Sequence, residues 1–113
     1  MALTHVDSIK EYGTLVVSAT SASYNDDDTV TWTCPRLNKR TITVKETGGS
    51  YSVTLRVRTR AYPDGNQTVH NEGAFAASGE TTIYLDHWYY EVEIAVKDGS
   101  GHATVEIDYG GRV

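Results

Sequence analysis

Along most of this chain apolar and polar side chains take turns one for one. That is the signature of strands with one face in a core and the other in water. Residues 29–34 show it clearly, with Val30, Trp32 and Cys34 on one side and Thr29, Thr31 and Thr33 on the other. Residues 40–46 repeat it, with Ile42 and Val44 set against Thr41, Thr43 and Lys45. The longest regular run is 51–59, where Tyr51, Val53, Leu55 and Val57 point inward and Ser52, Thr54, Arg56 and Arg58 outward; Arg60 continues the outer face. Residues 13–19 and 81–85 predict two further strands. The strictest alternation lies in 90–96 and 103–109, and Asp98-Gly99-Ser100-Gly101 between them predicts a β-hairpin.

Turn residues punctuate these runs. Pro35 ends its strand because it has no N–H to donate. Gly48-Gly49, Pro63-Asp64-Gly65-Asn66 and Asp86-His87 read as turns, and the polar stretch 21–28 as a loop. Residues 71–79 lack a period and carry Gly73, Ala74, Ala76, Ala77 and Ser78, which predicts a long loop or a weak edge strand. No segment sustains a 3.6-residue period. The pattern predicts an all-β fold, an antiparallel β-sandwich of jelly-roll or immunoglobulin-like type with about seven or eight short strands. An N-terminal arm, 1–12, precedes a single sandwich domain, 13–113.

Composition supports the β reading and narrows the partners. Val, Thr and Tyr are abundant, and 113 residues suffice for one domain. The net charge of −5 disfavours nucleic acid and anionic membrane surfaces. No apolar run is long enough to span a bilayer, and the first residues show no secretory signal. Cys34 is the only cysteine, so the chain forms no internal disulfide and no cysteine cluster for zinc. Between Thr33 and Pro35 it reads as a small buried hydrophobe.

Candidate chemistry is sparse. In the expected hairpin Glu93 would oppose Glu106, and Glu91 would oppose Asp108. Like charges placed so need a cation, arginines from a neighbouring strand, or splaying into water. The row Arg56, Arg58, Arg60 is the obvious donor, within the fold or from another subunit. Asn25-Asp26-Asp27-Asp28 lacks the spaced acidic ligands of a calcium loop and reads as solvated. His5, His70, His87 and His102 are scattered, and Asn66-Gln67-Thr68 is a glycosylation sequon that matters only after secretion. No nucleophile, base and oxyanion-donor set emerges, so the expectation is a non-enzyme without catalytic residues, metal or cofactor. Trp88 and Tyr89, with Tyr62, form the one aromatic group suited to a sugar ring or a protein partner.

The segment from Trp88 to Gly101, WYYEVEIAVKDGSG, and the opening run TLVVSATSA resemble small β-sandwich virion proteins of tailed phages. The resemblance implies a decoration or cement protein that binds a capsid or other virion protein, and itself as a homo-oligomer, by surface contact. Made in the host cytoplasm, such a protein resides in the virion. The resemblance carries over no residues; the charge rows and aromatic pair themselves make Arg56, Arg58, Arg60, Trp88, Tyr89, Glu91, Glu93, Glu106 and Asp108 the expected contact residues, with the arm and the small-residue stretch 73–79 as contact segments. The two charged rows would set subunit register. The alternative is a carbohydrate-binding module acting through surface Trp and Tyr.

Overall fold

β-Branched and aromatic side chains that alternate with polar ones bury half their surface when two sheets stack, and this chain does so. The computed structural model describes residues 6–19, 29–46, 53–75, 79–97 and 103–113, and among them nine strands and no helix. They are β1 (Val6–Ser8), β2 (Tyr12–Ala19), β3 (Thr29–Trp32), β4 (Lys39–Glu46), β5 (Val53–Arg60), β6 (Thr68–Phe75), β7 (Glu80–Leu85), β8 (Glu91–Lys97) and β9 (Ala103–Arg112). One sheet has five strands in the order β1-β3-β8-β5-β6, the other four in the order β2-β9-β4-β7. All pairings are antiparallel except β1 with β3. The fold is a β-sandwich, as the alternation predicts.

The inner faces supply one core. Val30, Trp32, Val53, Leu55, Val57, Val92, Ile94 and Val96 come from the five-stranded sheet, and Ile42, Val44, Ile83, Leu85, Val105, Ile107 and Tyr109 from the four-stranded one. Cys34 is buried, as expected, and so is Leu37. Both lie beyond β3, which ends two residues earlier than the alternation suggests. There the chain turns, with Leu37 N donating to Cys34 O (3.1 Å), and this tucks Leu37 into the core.

The expected C-terminal hairpin is not formed. β8 lies between β3 and β5 in one sheet, and β9 between β2 and β4 in the other. The two strands have strongly apolar faces, and each face is covered by the opposite layer rather than extended sideways. Five residues, 98–102, reach about 16 Å when extended, enough to cross the roughly 10 Å between stacked sheets. Glu93 therefore opposes Thr31 and Arg58, and Glu91 opposes Arg60. Glu106 opposes Val16 and Lys45, and Asp108 opposes Thr14 and Thr43.

Two further expectations shift. Within the expected arm, residues 6–8 form β1 and Ser8 is buried. The aperiodic stretch holds a full edge strand, β6, which begins at Thr68 and pairs with β5 across a bulge between Val57 and Arg58. The Asn25–Asp28 loop, the Gly48-Gly49 turn, Tyr51, residues 76–78 and the Asp98–Gly101 turn lie outside the described residues, as do His5 and His102.

Candidate functional site

The arginine row meets its partners within the chain. Outward positions of β5 carry Arg56, Arg58 and Arg60, and the adjacent β8 presents Glu93 and Glu91 in register with Arg58 and Arg60. Glu93 is only 8% exposed and acts as a hub. Its Oε1 accepts from Arg58 Nε (2.7 Å) and Arg56 Nη2 (3.3 Å), and its Oε2 from Gln67 Nε2 (3.0 Å). Arg60 Nε lies 3.7 Å from Glu91 Oε2. Because β8 and β9 lie in different sheets, the four acidic residues do not share one row; Glu91 and Glu93 meet arginines of β5 within the fold. Glu106 and Asp108 sit on the outer face of the other sheet, with Lys45 3.8 Å from Glu106 and Thr14 Oγ1 donating to Asp108 (2.7 Å). Within the chain, most of the charge on the two expected rows is answered in cis.

Trp88 and Tyr89 turn to different neighbours. Trp88 is 46% exposed and its indole N–H donates to Pro35 O. Tyr89 packs against the core and meets His70 edge-on, with centroids 6.3 Å apart. Tyr62 stays exposed on the turn where Gly65 N donates to Tyr62 O.

A residue that sequence reasoning passed over organises this end of the sandwich. Arg40 shares the inward parity of Ile42 and Val44 and is 1% exposed. Its guanidinium donates to Trp32 O (3.1 Å), Cys34 O (2.8 Å) and Tyr89 O (3.0 Å) and lies 4.7 Å over the Trp32 ring. Desolvation lowers its pKa below the usual arginine range. Three carbonyls and a π face take the place of a carboxylate. Trp32 in turn donates to Lys10 O (2.7 Å) and packs edge-on against Tyr109 at 5.0 Å. The network pins the β3–β4 and β7–β8 connections to one spot. Its signal in the sequence was a cation at a core position.

Two surfaces stand out against this rigid frame. The first is β6, the last strand of its sheet, whose residues 68–73 are all exposed although consecutive strand residues point to opposite faces. The second is the outer face of the four-stranded sheet. Register places Tyr12, Gly110, Thr41 and Tyr84 in one row across all four strands. The two tyrosines are 76% and 66% exposed and flank a floor of glycine and threonine. Shallow depressions of about 330 Å³ and 490 Å³ lie on either side of that floor. The next row is Thr14, Asp108, Thr43 and Thr82; on the other side of the floor Arg112 and Lys39 are cross-strand partners. Among the described residues no group of three or more His, Cys, Asp or Glu is placed to hold a metal ion, and no helix is long and apolar enough to cross a membrane.

No protein-family profile and no curated protein sequence matches the chain. Solved structures do resemble it in shape. The Yersinia pseudotuberculosis-derived mitogen has a TM-score of 0.61 at 9% identity, covering 89% of this chain and 86% of the mitogen. CorA, a surface-associated copper-binding protein of Methylomicrobium album BG8, has a TM-score of 0.60 at 12% identity over 97% and 98%. The SPBc2 prophage-derived protein YomS has a TM-score of 0.53 at 16% identity over 89% and 96%. At such identities the likeness establishes the β-sandwich fold of this chain and nothing finer.

Proposed function

We propose that this chain is a non-enzymatic structural interaction protein, a virion component of decoration or cement type that docks on a protein lattice and on copies of itself. The observation that carries the reading is the β6 edge. A strand whose six leading residues are exposed on both faces, with a hydrogen-bonded neighbour on one side only among the described residues, offers its free backbone groups to another strand. Of the devices that blunt sheet edges, β6 carries one charge, Glu72, and pairs with β5 across a bulge, but Thr68–Phe75 contains neither Lys nor Pro. Of the three other edges, β1 has only three residues and β7 buries Ile83 and Leu85; β2 is a second edge of eight residues, and a substitution on β6 alone tells the two apart. The resemblance to phage sandwich proteins points to the virion as the setting.

The alternative, a carbohydrate-binding module acting through Trp88, Tyr89 and Tyr62, gains little support, since the first two rings are engaged by Pro35, the core and His70. Gly73 gives a clean test of docking. A Cβ there would meet nothing within 4 Å, so Gly73→Lys leaves the fold intact while placing a charge on the edge. The wild-type chain is expected to co-sediment with purified tailed-phage shells and Gly73→Lys to stay in the supernatant. Equal pelleting of both, or of neither, contradicts the proposal.

A further inference from the structure

The outer face of the four-stranded sheet holds an arrangement that docking through β6 does not use. Tyr12 and Tyr84 stand at the two ends of one cross-strand row, three strand spacings or roughly 14 Å apart at the backbone. Between them Gly110 and Thr41 keep the floor low. Aromatic faces at that separation, with a small-residue floor, fit a chain of two or three flat rings lying on the sheet.

Polar groups along this trough match a hydroxylated ligand. Asp108 accepts from Thr14 through Oδ1, and its Oδ2 has no hydrogen-bond partner among the described residues. The hydroxyls of Thr41, Tyr12 and Tyr84 lie on the same face. On the far side of the floor Lys39 and Arg112 are placed side by side, and among the described residues neither has an ion-pair partner. Two adjacent cations without an ion pair among the described residues are a local exception in a chain of net charge −5. They call for a negative group on whatever lies between the tyrosines.

We infer that this trough binds an acidic oligosaccharide, with sugar rings stacked on Tyr12 and Tyr84, ring hydroxyls donating to Asp108, and a carboxylate held by Lys39 and Arg112. A peptide strand fits less well. β9 and β4 are paired on both sides, so their backbones have no free ladder to offer an extended chain. A dense polyanion such as nucleic acid fits less well too, because Asp86 lines the same depression as the two cations and Asp108 lines the one across the floor.

The test is calorimetric titration of the full chain with trisaccharides of galacturonic, glucuronic and mannuronic acid, and with neutral trisaccharides of the parent sugars. At least one uronate is expected to bind about tenfold or more tightly than its neutral counterpart, with an affinity that falls as salt rises. Tyr12→Ala and Tyr84→Ala, both at exposed positions, are each expected to weaken it about tenfold. Gly110→Gln fills the floor without distorting the strand, since the nearest atom to a Cβ there lies at an ordinary 3.5 Å, and is expected to abolish binding. The paired change Lys39→Ala and Arg112→Ala should bring acidic and neutral sugars to the same affinity. Gly73→Lys should bind like the wild type, which separates this site from the β6 edge. Failure of every uronate to bind, equal affinity for neutral sugars in the wild type, or binding unmoved by Gly110→Gln would overturn the inference.

Discussion

Arg40 illustrates how one side chain can hold several irregular segments with no counter-ion among the described residues. Its guanidinium satisfies carbonyls that belong to β3, to the turn after it and to the approach to β8. Arg40→Met would leave three backbone acceptors in a dry place without their donor. The expected loss is about 3 kcal/mol in denaturant-induced unfolding, and a loss under 1 kcal/mol would show that the network is dispensable. Lysine should rescue poorly, because one ammonium cannot reproduce the planar fork. Gly13 makes the complementary point about space. A Cβ there would sit 2.5 Å from Tyr109 Oη and 2.6 Å from Tyr109 Cζ, so the ring rests where a side chain would be. Gly13→Ala is expected to cost about 2 kcal/mol and lower the thermal midpoint, and unchanged melting would contradict that packing. Neither role was written plainly in the sequence. The position of Arg40 on the core parity of its strand was visible, but its partners are carbonyls brought from elsewhere in the chain.

At the scale of elements, alternation located strands well and partners badly. The runs in β2, β4, β5 and β7 were placed to within a residue or two, because a half-buried strand must alternate. β6 reads from the sequence only as a loop or a weak edge strand, because among the described residues its positions 68–73 are exposed on both faces. A strand so exposed has no period imposed on it, and its ladder to β5 defines it. The C-terminal hairpin failed for the opposite reason. A glycine-rich link between two alternating runs suits a tight turn and a crossover between layers alike, and local pattern does not rank them. The consequence reaches the surface, because pairing β8 with β5 instead of β9 brings Glu93 to Arg56 and Arg58. Glu93→Gln would leave those two arginines facing one another across a mostly buried amide. The expected cost is about 2 kcal/mol, less than for a fully buried pair because the arginines are partly solvated. A double-mutant cycle with Arg58→Gln should show the coupling, and strict additivity would argue that the pairing is incidental. The tyrosine row was likewise half legible: Tyr84 alternates outward between Ile83 and Leu85, but only the register sets it in line with Tyr12.

For the whole molecule, two sheets of unequal width leave one strand overhanging, and that overhang is the feature most easily turned to assembly. The five-stranded sheet ends in β6 and the four-stranded sheet ends in β7. The proposed role asks the overhang to accept a strand from a lattice protein or from another copy. It asks little of the charged face of β5 and β8, whose arginines and glutamates are already matched. Sedimentation velocity over a wide concentration range tests this most directly, with the wild type and Gly73→Lys run side by side. The wild type is expected to grow beyond its 12.4 kDa monomer as concentration rises, while Gly73→Lys stays monomeric with an unchanged melting curve. A wild type that remains monomeric throughout, or a variant that assembles equally well, would contradict docking through the β6 edge.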